Sequence, residues 1–399
     1  MRYHKSIFYT TYGDYKNCGQ FFDYLLSEFE VVAFFDIKSH YSDPAKKSLL
    51  ILYKLGVPVF EKPFATLPTT PPVFLVPLYH FYYFLNILFA LLNLKVRHNT
   101  SFDVFITSFS LWSLAGLAGK FLGCCKKVIL WSWDYYPIYK DNPYHVIQQL
   151  LQPLESLAIN LSDHSWYASP SNMHIRTEIK QIKNPADIKH KVVHWGTGGN
   201  LDHPIEPNFL KTGILRLVYF GALHSEKGLA LVVDSLQELL FVTGKKLEML
   251  IIGRMSPFGL ELKTKIAALG YKDYVKFIEF MPADRFAEIA KDCDLGLALF
   301  VPEVGGKINY SHYADPAKPR DYLACGLPIL TTTVPFIHKD IEKFKAGFVL
   351  AEYDVQNLVM SIKQYMVNPS IYTSGAFALS REDRYDVYYS KQFDMVFSK

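Results

Sequence analysis

Short β-branched and aromatic runs alternate with segments of helical period along most of the chain. In the first half the runs predict strands at 6–10, 31–35, 57–61, 104–107, 128–131, 164–168 and 192–195. Pro58 lies inside the third run and marks it as an edge strand or an extended loop. Helical patterns fall between the runs, for example at 19–29, 110–122 and 171–183. Asp202, His203, Pro204, Glu206, Pro207 and Asn208 cluster within 200–213, which reads as an interdomain linker. The alternation then restarts, with strands predicted at 215–220, 247–252, 275–280, 295–299, 329–332 and 348–350. After Lys227, Leu229, Val232, Val233, Leu236, Leu239 and Leu240 recur at helical spacing.

Strand–helix alternation of this kind implies parallel sheets covered by helices on both faces. The expected fold class is α/β, with two Rossmann-like domains facing each other across a cleft. The first is expected at 1–203 and the second at 204–380. Residues 381–399 are expected to form a helix packing back on the first domain. Ligands bind at the carboxyl ends of such sheets, so the cleft is the expected site.

Composition narrows the classes. Of 399 residues, 50% are hydrophobic and 20% charged, enough apolar content for two cores. The net charge of +4, without a Lys/Arg block, does not point to nucleic acid and fits a membrane surface or an anionic nucleotide equally well. Cys18, Cys124, Cys125, Cys293 and Cys325 match no disulfide framework or zinc spacing, which implies a reducing compartment. Residues 1–8 are basic but too briefly apolar to read as a secretion signal. Residues 73–94 are apolar and aromatic, interrupted mainly by His80, Asn86 and Asn93 and followed by Lys95, Arg97 and His98. Three readings compete for them: a buried helix, a helix lying on a bilayer, and a membrane span.

Two segments carry candidate chemistry. In the first, a strand ends at Gly221, and Lys227-Gly228 is expected to open a helix. Helix-start amides and a nearby ammonium suit a phosphate, although a solvated lysine at an ordinary junction has the same pattern. In the second, Pro316-Ala317-Lys318 leads into a helix bearing Asp321, ended by Gly326-Leu327-Pro328. A carboxylate there suits ribose hydroxyls or simply caps the helix. Residues 131–137 (Trp-Ser-Trp-Asp-Tyr-Tyr-Pro) read as an aromatic binding rim or as a packed strand end. Asp292-Cys293-Asp294 spells Asp-x-Asp, but an acid at a helix-to-strand turn is commonplace, so no metal site is expected. No P-loop, His-Glu-x-x-His or Gly-x-Ser-x-Gly pattern is present.

These segments together resemble the retaining GT-B glycosyltransferases of family four, the glycosyl transferases group 1. That family has a strand, a glycine, a short loop and Lys-Gly, here 217–228. Later it has Pro-x-Lys-hydrophobic-aromatic-Glu-Tyr-Leu-Ala-x-Gly-x-Pro, here 316–328. Leu250-Ile-Ile-Gly253 resembles its second strand, Lys276 to Pro282 its base-binding strand and loop, and 293–299 the strand before the donor loop. The likeness spans roughly 215–366; the first half is less similar, with Asn17-Cys18-Gly19-Gln20 resembling a glycine loop that approaches the donor phosphates.

The resemblance implies metal-independent transfer, with retention, from a UDP- or GDP-sugar to a lipid-linked or polysaccharide acceptor, glycan or glycolipid. The sugar nucleotide is a substrate, and no cofactor is expected. Lys227 and Asp134 are implied as catalytic. Gly19, Gly221, His224, Lys227, Gly253, Arg254, Phe280, Met281, Pro316, Ala317, Lys318 and Asp321 are implied in donor binding. The expected location is cytoplasmic, peripheral at the inner face of the membrane, with contact through 73–94. The chain departs from the family pattern at Ala222, usually Arg or Lys; at Asp321, usually Glu; at Tyr313, often Glu; and at Trp133, often His. With Ala222 in place of a basic residue, either Lys227 carries more of the burden or His224 or Arg254 compensates. A sugar-nucleotide epimerase and a non-catalytic two-lobed binding protein are the alternative functions on this architecture.

Overall fold

A computed structural model of the chain describes residues 3–38, 46–67, 72–142, 144–199 and 201–398. Two compact units emerge, residues 1–194 with 389–399, and residues 195–388. The change of unit therefore comes at 194/195, ahead of the polar cluster, whose Asn200 lies outside the described residues.

Among the described residues the first unit holds an eight-stranded sheet in the order β4-β3-β2-β1-β5-β6-β7-β8. Its strands are β1 (Tyr3–Tyr12), β2 (Phe29–Ile37), β3 (Ser48–Lys54), β4 (Val57–Phe64), β5 (Phe102–Thr107), β6 (Cys125–Ser132), β7 (His164–Tyr167) and β8 (His190–Val192). The helices between them are α1 (Phe21–Glu28), α2 (Val76–His98), α3 (Ser110–Phe121), α4 (His145–Leu161) and α5 (Pro170–Glu178). Most pairings are parallel, as the alternation implies, but β2–β3 and β3–β4 are antiparallel. Leu55 and Gly56 both adopt positive φ (51° and 79°), which is what a two-residue hairpin turn demands, and β3 is the strand the sequence pattern missed. β4 is the sheet edge, where Pro58 costs no ladder bond.

The second unit holds a six-stranded parallel sheet ordered β11-β10-β9-β12-β15-β16. These are β9 (Leu215–Phe220), β10 (Leu247–Ile252), β11 (Val275–Ile278), β12 (Leu295–Ala298), β15 (Ile329–Thr332) and β16 (Gly347–Leu350), with a small hairpin of β13 (Glu303–Val304) and β14 (Lys307–Ile308). Around it lie α6 (Asn208–Thr212), α7 (Leu229–Asp234), α8 (Leu236–Val242), α9 (Pro257–Ala268), α10 (Ala283–Ala290), α11 (Ala317–Ala324), α12 (His338–Phe344), α13 (Val355–Val367) and α14 (Pro369–Glu382). Leu217, Tyr219, Met249, Ile251, Leu295 and Leu297 point to one face of the sheet and Val218, Phe220, Leu250 and Ile252 to the other, so alternate residues of one strand feed two cores. The single helix expected after Lys227 is two short ones. They break at Ser235, whose hydroxyl donates back to the Leu231 carbonyl (2.7 Å).

The last helix, α15 (Tyr385–Phe397), begins in the second unit and continues in the first. Its Tyr389 hydroxyl donates to the Gly19 carbonyl (3.0 Å), and Phe393 packs on Phe21, Tyr24 and Phe29. Aromatic burial of this size holds a helix that has little amphipathic periodicity of its own.

Candidate functional site

In a doubly wound sheet the strand order reverses where two neighbouring connections leave to opposite sides, and the gap at that point is the natural ligand crevice. In the second unit this falls between β9 and β12. Tyr322 of α11 spans the gap: its hydroxyl accepts from Phe220 N (2.9 Å) and donates to the Leu297 carbonyl (3.1 Å). The Asp-Tyr-Leu-Ala sequence is thereby pinned to the strand ends, and Asp321, one residue earlier, is brought to the same place.

The strand β9 runs out at Gly221, where φ is +134°, a conformation that side chains disfavour. Lys318 fills the space a side chain would need, and its ammonium stands 4.9 Å from the centre of the Tyr219 ring. Gly253 lies against the Gly221 carbonyl, so the ends of β9 and β10 meet the same loop. Lys227, at the end of the same loop, lies near enough to repel Lys318. Its Nζ donates to the Tyr310 hydroxyl (3.1 Å) and lies over the rings of Phe300 and Tyr310. Gly228 (φ +74°) closes this turn against the Leu299 carbonyl, where a Cβ has no room. Lys227 ends a short 3-10 turn rather than opening a long helix, since α7 has six residues. The anion-attracting power of the segment therefore rests on ammonium groups more than on a helix dipole.

Two half-buried charges dominate the electrostatics. Burial and the repulsion of Lys227 bring Lys318 down to about 7, against the pull of Asp321 and Glu226. Burial pushes Asp321 up to about 7, against the pull of Lys318. A cation lowered chiefly by burial and further by a second cation gains its charge when an anion arrives, because the anion offsets both penalties.

Beside this cluster the Phe280 ring lies parallel to Phe220 (6.0 Å, 7°), which in turn stacks on Phe286 (4.3 Å). Phe280 is exposed, and Arg254 sits over its ring at 5.6 Å, giving a flat cationic-aromatic platform that suits a planar base. Met281 packs against the core beneath, and Pro316 and Ala317 start α11. His224 is exposed at the start of the 3-10 turn.

The cation seated against Gly221 is Lys318, supplied from α11, while Arg254 lies over Phe280 and His224 is exposed. Tyr310 and Phe300, which hold Lys227, were not singled out from sequence; Phe300 follows shortly after the end of β12, whereas Tyr310 opens a short 3-10 turn beyond the β13–β14 hairpin, a segment without periodicity.

In the first unit, Gly19 (φ 58°) and Gln20 (φ 59°) turn the chain into α1. Asn17 already accepts from Asp23 N (3.0 Å) and donates to the Asp23 carboxylate (2.8 Å), so this helix start carries its own acid. Asp134 follows β6, accepting at its carbonyl from Arg176 and at its carboxylate from Tyr136 (3.4 Å each). The aromatic run divides: Trp131 and Tyr135 are core, with Trp131 Nε1 donating to the Val193 carbonyl (2.7 Å), while Tyr136 is exposed. Asp294 of the Asp-x-Asp sequence is buried and accepts from Phe209 N, Arg216 N and the Tyr365 hydroxyl, which makes it a structural clamp.

Two doubly wound α/β units in one chain are the fold of the GT-B glycosyltransferases. Residues 205–374 match the family model described as "Glycosyl transferases group 1". No curated protein matches the chain by sequence. Among solved structures it is similar to the sucrose-phosphate synthase of Thermosynechococcus elongatus (12% identity, 99% of both chains covered, TM-score 0.68). It is also similar to Anabaena HepE in complex with UDP-glucose (15%, covering 99% of this chain and 100% of that one, 0.62). A third is the catalytic domain of starch synthase IV from Arabidopsis thaliana bound to ADP and acarbose (11%, 99% and 98%, 0.63). At these identities the likeness is one of fold.

Proposed function

We propose that the chain transfers a hexose from a UDP- or GDP-sugar to a glycan or glycolipid acceptor, with retention at the anomeric carbon and without a metal. The observation that carries this reading is the seat of Lys318 against Gly221, within electrostatic reach of Lys227, with Asp321 one helical turn from Lys318. The lysines suit a diphosphate, Asp321 a ribose, and the Phe280–Arg254 platform a base. The UDP-glucose and ADP named for two structural neighbours are ligands of the same kind.

In transfer, the bond between the anomeric carbon and the diphosphate breaks and one to an acceptor hydroxyl oxygen forms, the hydroxyl proton being released as the nucleoside diphosphate leaves, and negative charge grows on the departing oxygen. Ammonium groups already in place stabilise that charge more in the transition state than in the ground state, which is what accelerates the step. Two lysines supply the neutralisation for which other enzymes use a divalent ion. Turnover of a panel of UDP- and GDP-sugars with oligosaccharide and glycolipid acceptors, in the presence of EDTA, tests the reading. Activity that EDTA abolishes and manganese restores contradicts the metal-free step, and an inverted product by NMR contradicts retention.

A further inference from the structure

A helix on the surface of a soluble protein turns a polar face outward. Two helices of the first unit do the reverse. β4, β5, β6 and β7 run parallel and are visited in one direction, so right-handed crossovers bring α2, α3 and α4 to one face of the sheet. α2 packs on α3, α3 on α4, and α2 also touches α4. One side of α2 is core, through Tyr83, Ile87, Ala90, Leu91 and Leu94. Its outward side shows Phe74 (from the turn before it), Leu78, Phe81, Leu85 and Phe89, and every exposed side chain from 74 to 89 is apolar. α2 is long and apolar enough to cross a membrane, yet only 28% of its most apolar window is buried.

The second helix repeats the pattern independently. Val146, Leu150, Leu154, Leu157 and Leu161 line the outward side of α4 at helical spacing, with Leu150 68% exposed. At roughly 200 Å² for a large apolar side chain, the two stripes expose on the order of 1,000 Å². The largest apolar patch of an ordinary monomer is about 300–600 Å².

Charge says what covers this face. α2 and α3 contain no Asp or Glu. The one acid of α4, Glu155, is engaged by Gln181 (3.1 Å) and Arg176 (3.6 Å). Cations stand at the margins: Lys95 and Arg97 close α2, and Lys62 of β4 lies 4.7 Å over the Phe89 ring. An apolar strip whose helices carry one engaged acid between them, with cations at its margins, complements an anionic bilayer, where the stripes enter the acyl boundary and the ammonium groups meet headgroup phosphates.

We infer that α2 and α4 together form a docking surface for an anionic lipid bilayer. This inference stands apart from the transferase reading, since it uses none of the donor-site residues. The test is flotation of the full chain with vesicles of phosphatidylcholine alone and with phosphatidylglycerol added. Binding to the anionic vesicles is expected, weaker binding to the neutral ones, and a loss of about tenfold or more on changing either Phe81→Ser with Phe89→Ser or Leu150→Ser with Leu154→Ser. All four side chains are exposed, so the melting temperature is expected to hold, which separates lost docking from lost folding. Failure to bind either vesicle overturns the inference. So does binding untouched by the α4 pair, or a dimer in light scattering that both pairs dissolve while vesicles are ignored, which makes the face a contact between copies.

Discussion

Lys318 occupies the space above Gly221: a methyl group on that glycine would stand 2.6 Å from the lysine's Cε. The glycine is thus required twice, once for its φ of +134° and once for the lysine it admits. Gly221→Ala is expected to push Lys318 aside and to strain the loop by about 1–3 kcal/mol. Calorimetry should show donor affinity falling by about tenfold or more, with a lower melting temperature. Unchanged affinity separates Lys318 from the donor.

Lys318 and Asp321 give donor affinity a pH signature. A diphosphate favours charged Lys318, so affinity falls as pH rises above about 7. Ribose hydroxyls donating to Asp321 favour its ionised form, so affinity also falls as pH drops below about 7. The expected profile is a bell centred near neutrality. Lys318→Met should remove the alkaline limb and Asp321→Asn the acid limb, the latter with a loss of about 1.5–3 kcal/mol at neutral pH. Titration across pH of the two variants beside the parent checks this; identical profiles for all three rule out both assignments.

Lys227 belongs to the reaction more than to binding. Removing one preorganised donor to developing charge costs about 2.7–4 kcal/mol, or roughly 10²–10³ in turnover. Lys227→Ala is expected to lower kcat by that much and to change donor affinity less. Tyr310→Phe, which frees the ammonium from one hydrogen bond, should have a smaller effect. Steady-state kinetics on the two variants decide; near-normal kcat in Lys227→Ala refutes the role.

Arg320, on the same helix as Lys318, is buried between Asp315 and Asp383, and Asp315 also accepts from Trp195 N (2.9 Å). These carboxylates hold the guanidinium well above its ordinary range, despite burial. Arg320→Leu leaves two buried carboxylates without their cation and is expected to cost about 3–5 kcal/mol. Denaturant unfolding measures it, and a change below 1 kcal/mol is inconsistent with a buried cluster of this importance.

Much of this architecture is legible in the chain, because strand runs and turn glycines act locally. β9, β10 and β15 fall where the apolar runs put them. β3 was missed although its hairpin partner β4 was expected, because strand–helix alternation leaves no place for two strands joined by a two-residue turn. The break at Ser235 depends on a hydroxyl competing for one backbone carbonyl, which hydrophobic spacing cannot register. Lys318 was identifiable as a motif lysine, but its seat against Gly221 and its opposition to Lys227 arise only when β9, β12 and α11 meet. For 73–94 the periodicity left core and bilayer readings level, since both faces of α2 are apolar; packing shows which face is core.

The central claim is that a nucleotide-diphosphate sugar binds the Gly221–Lys227–Lys318–Asp321 cluster. Thermal denaturation across UDP-, GDP- and ADP-sugars tests it most directly, because a ligand at about 100 times its dissociation constant stabilises by about 2.7 kcal/mol. The expected result is a rise in melting temperature with at least one of these donors. That rise should disappear in the Lys227→Ala, Lys318→Met double variant and persist in Phe81→Ser. No rise with any donor, or a rise that survives the double substitution, contradicts the claim.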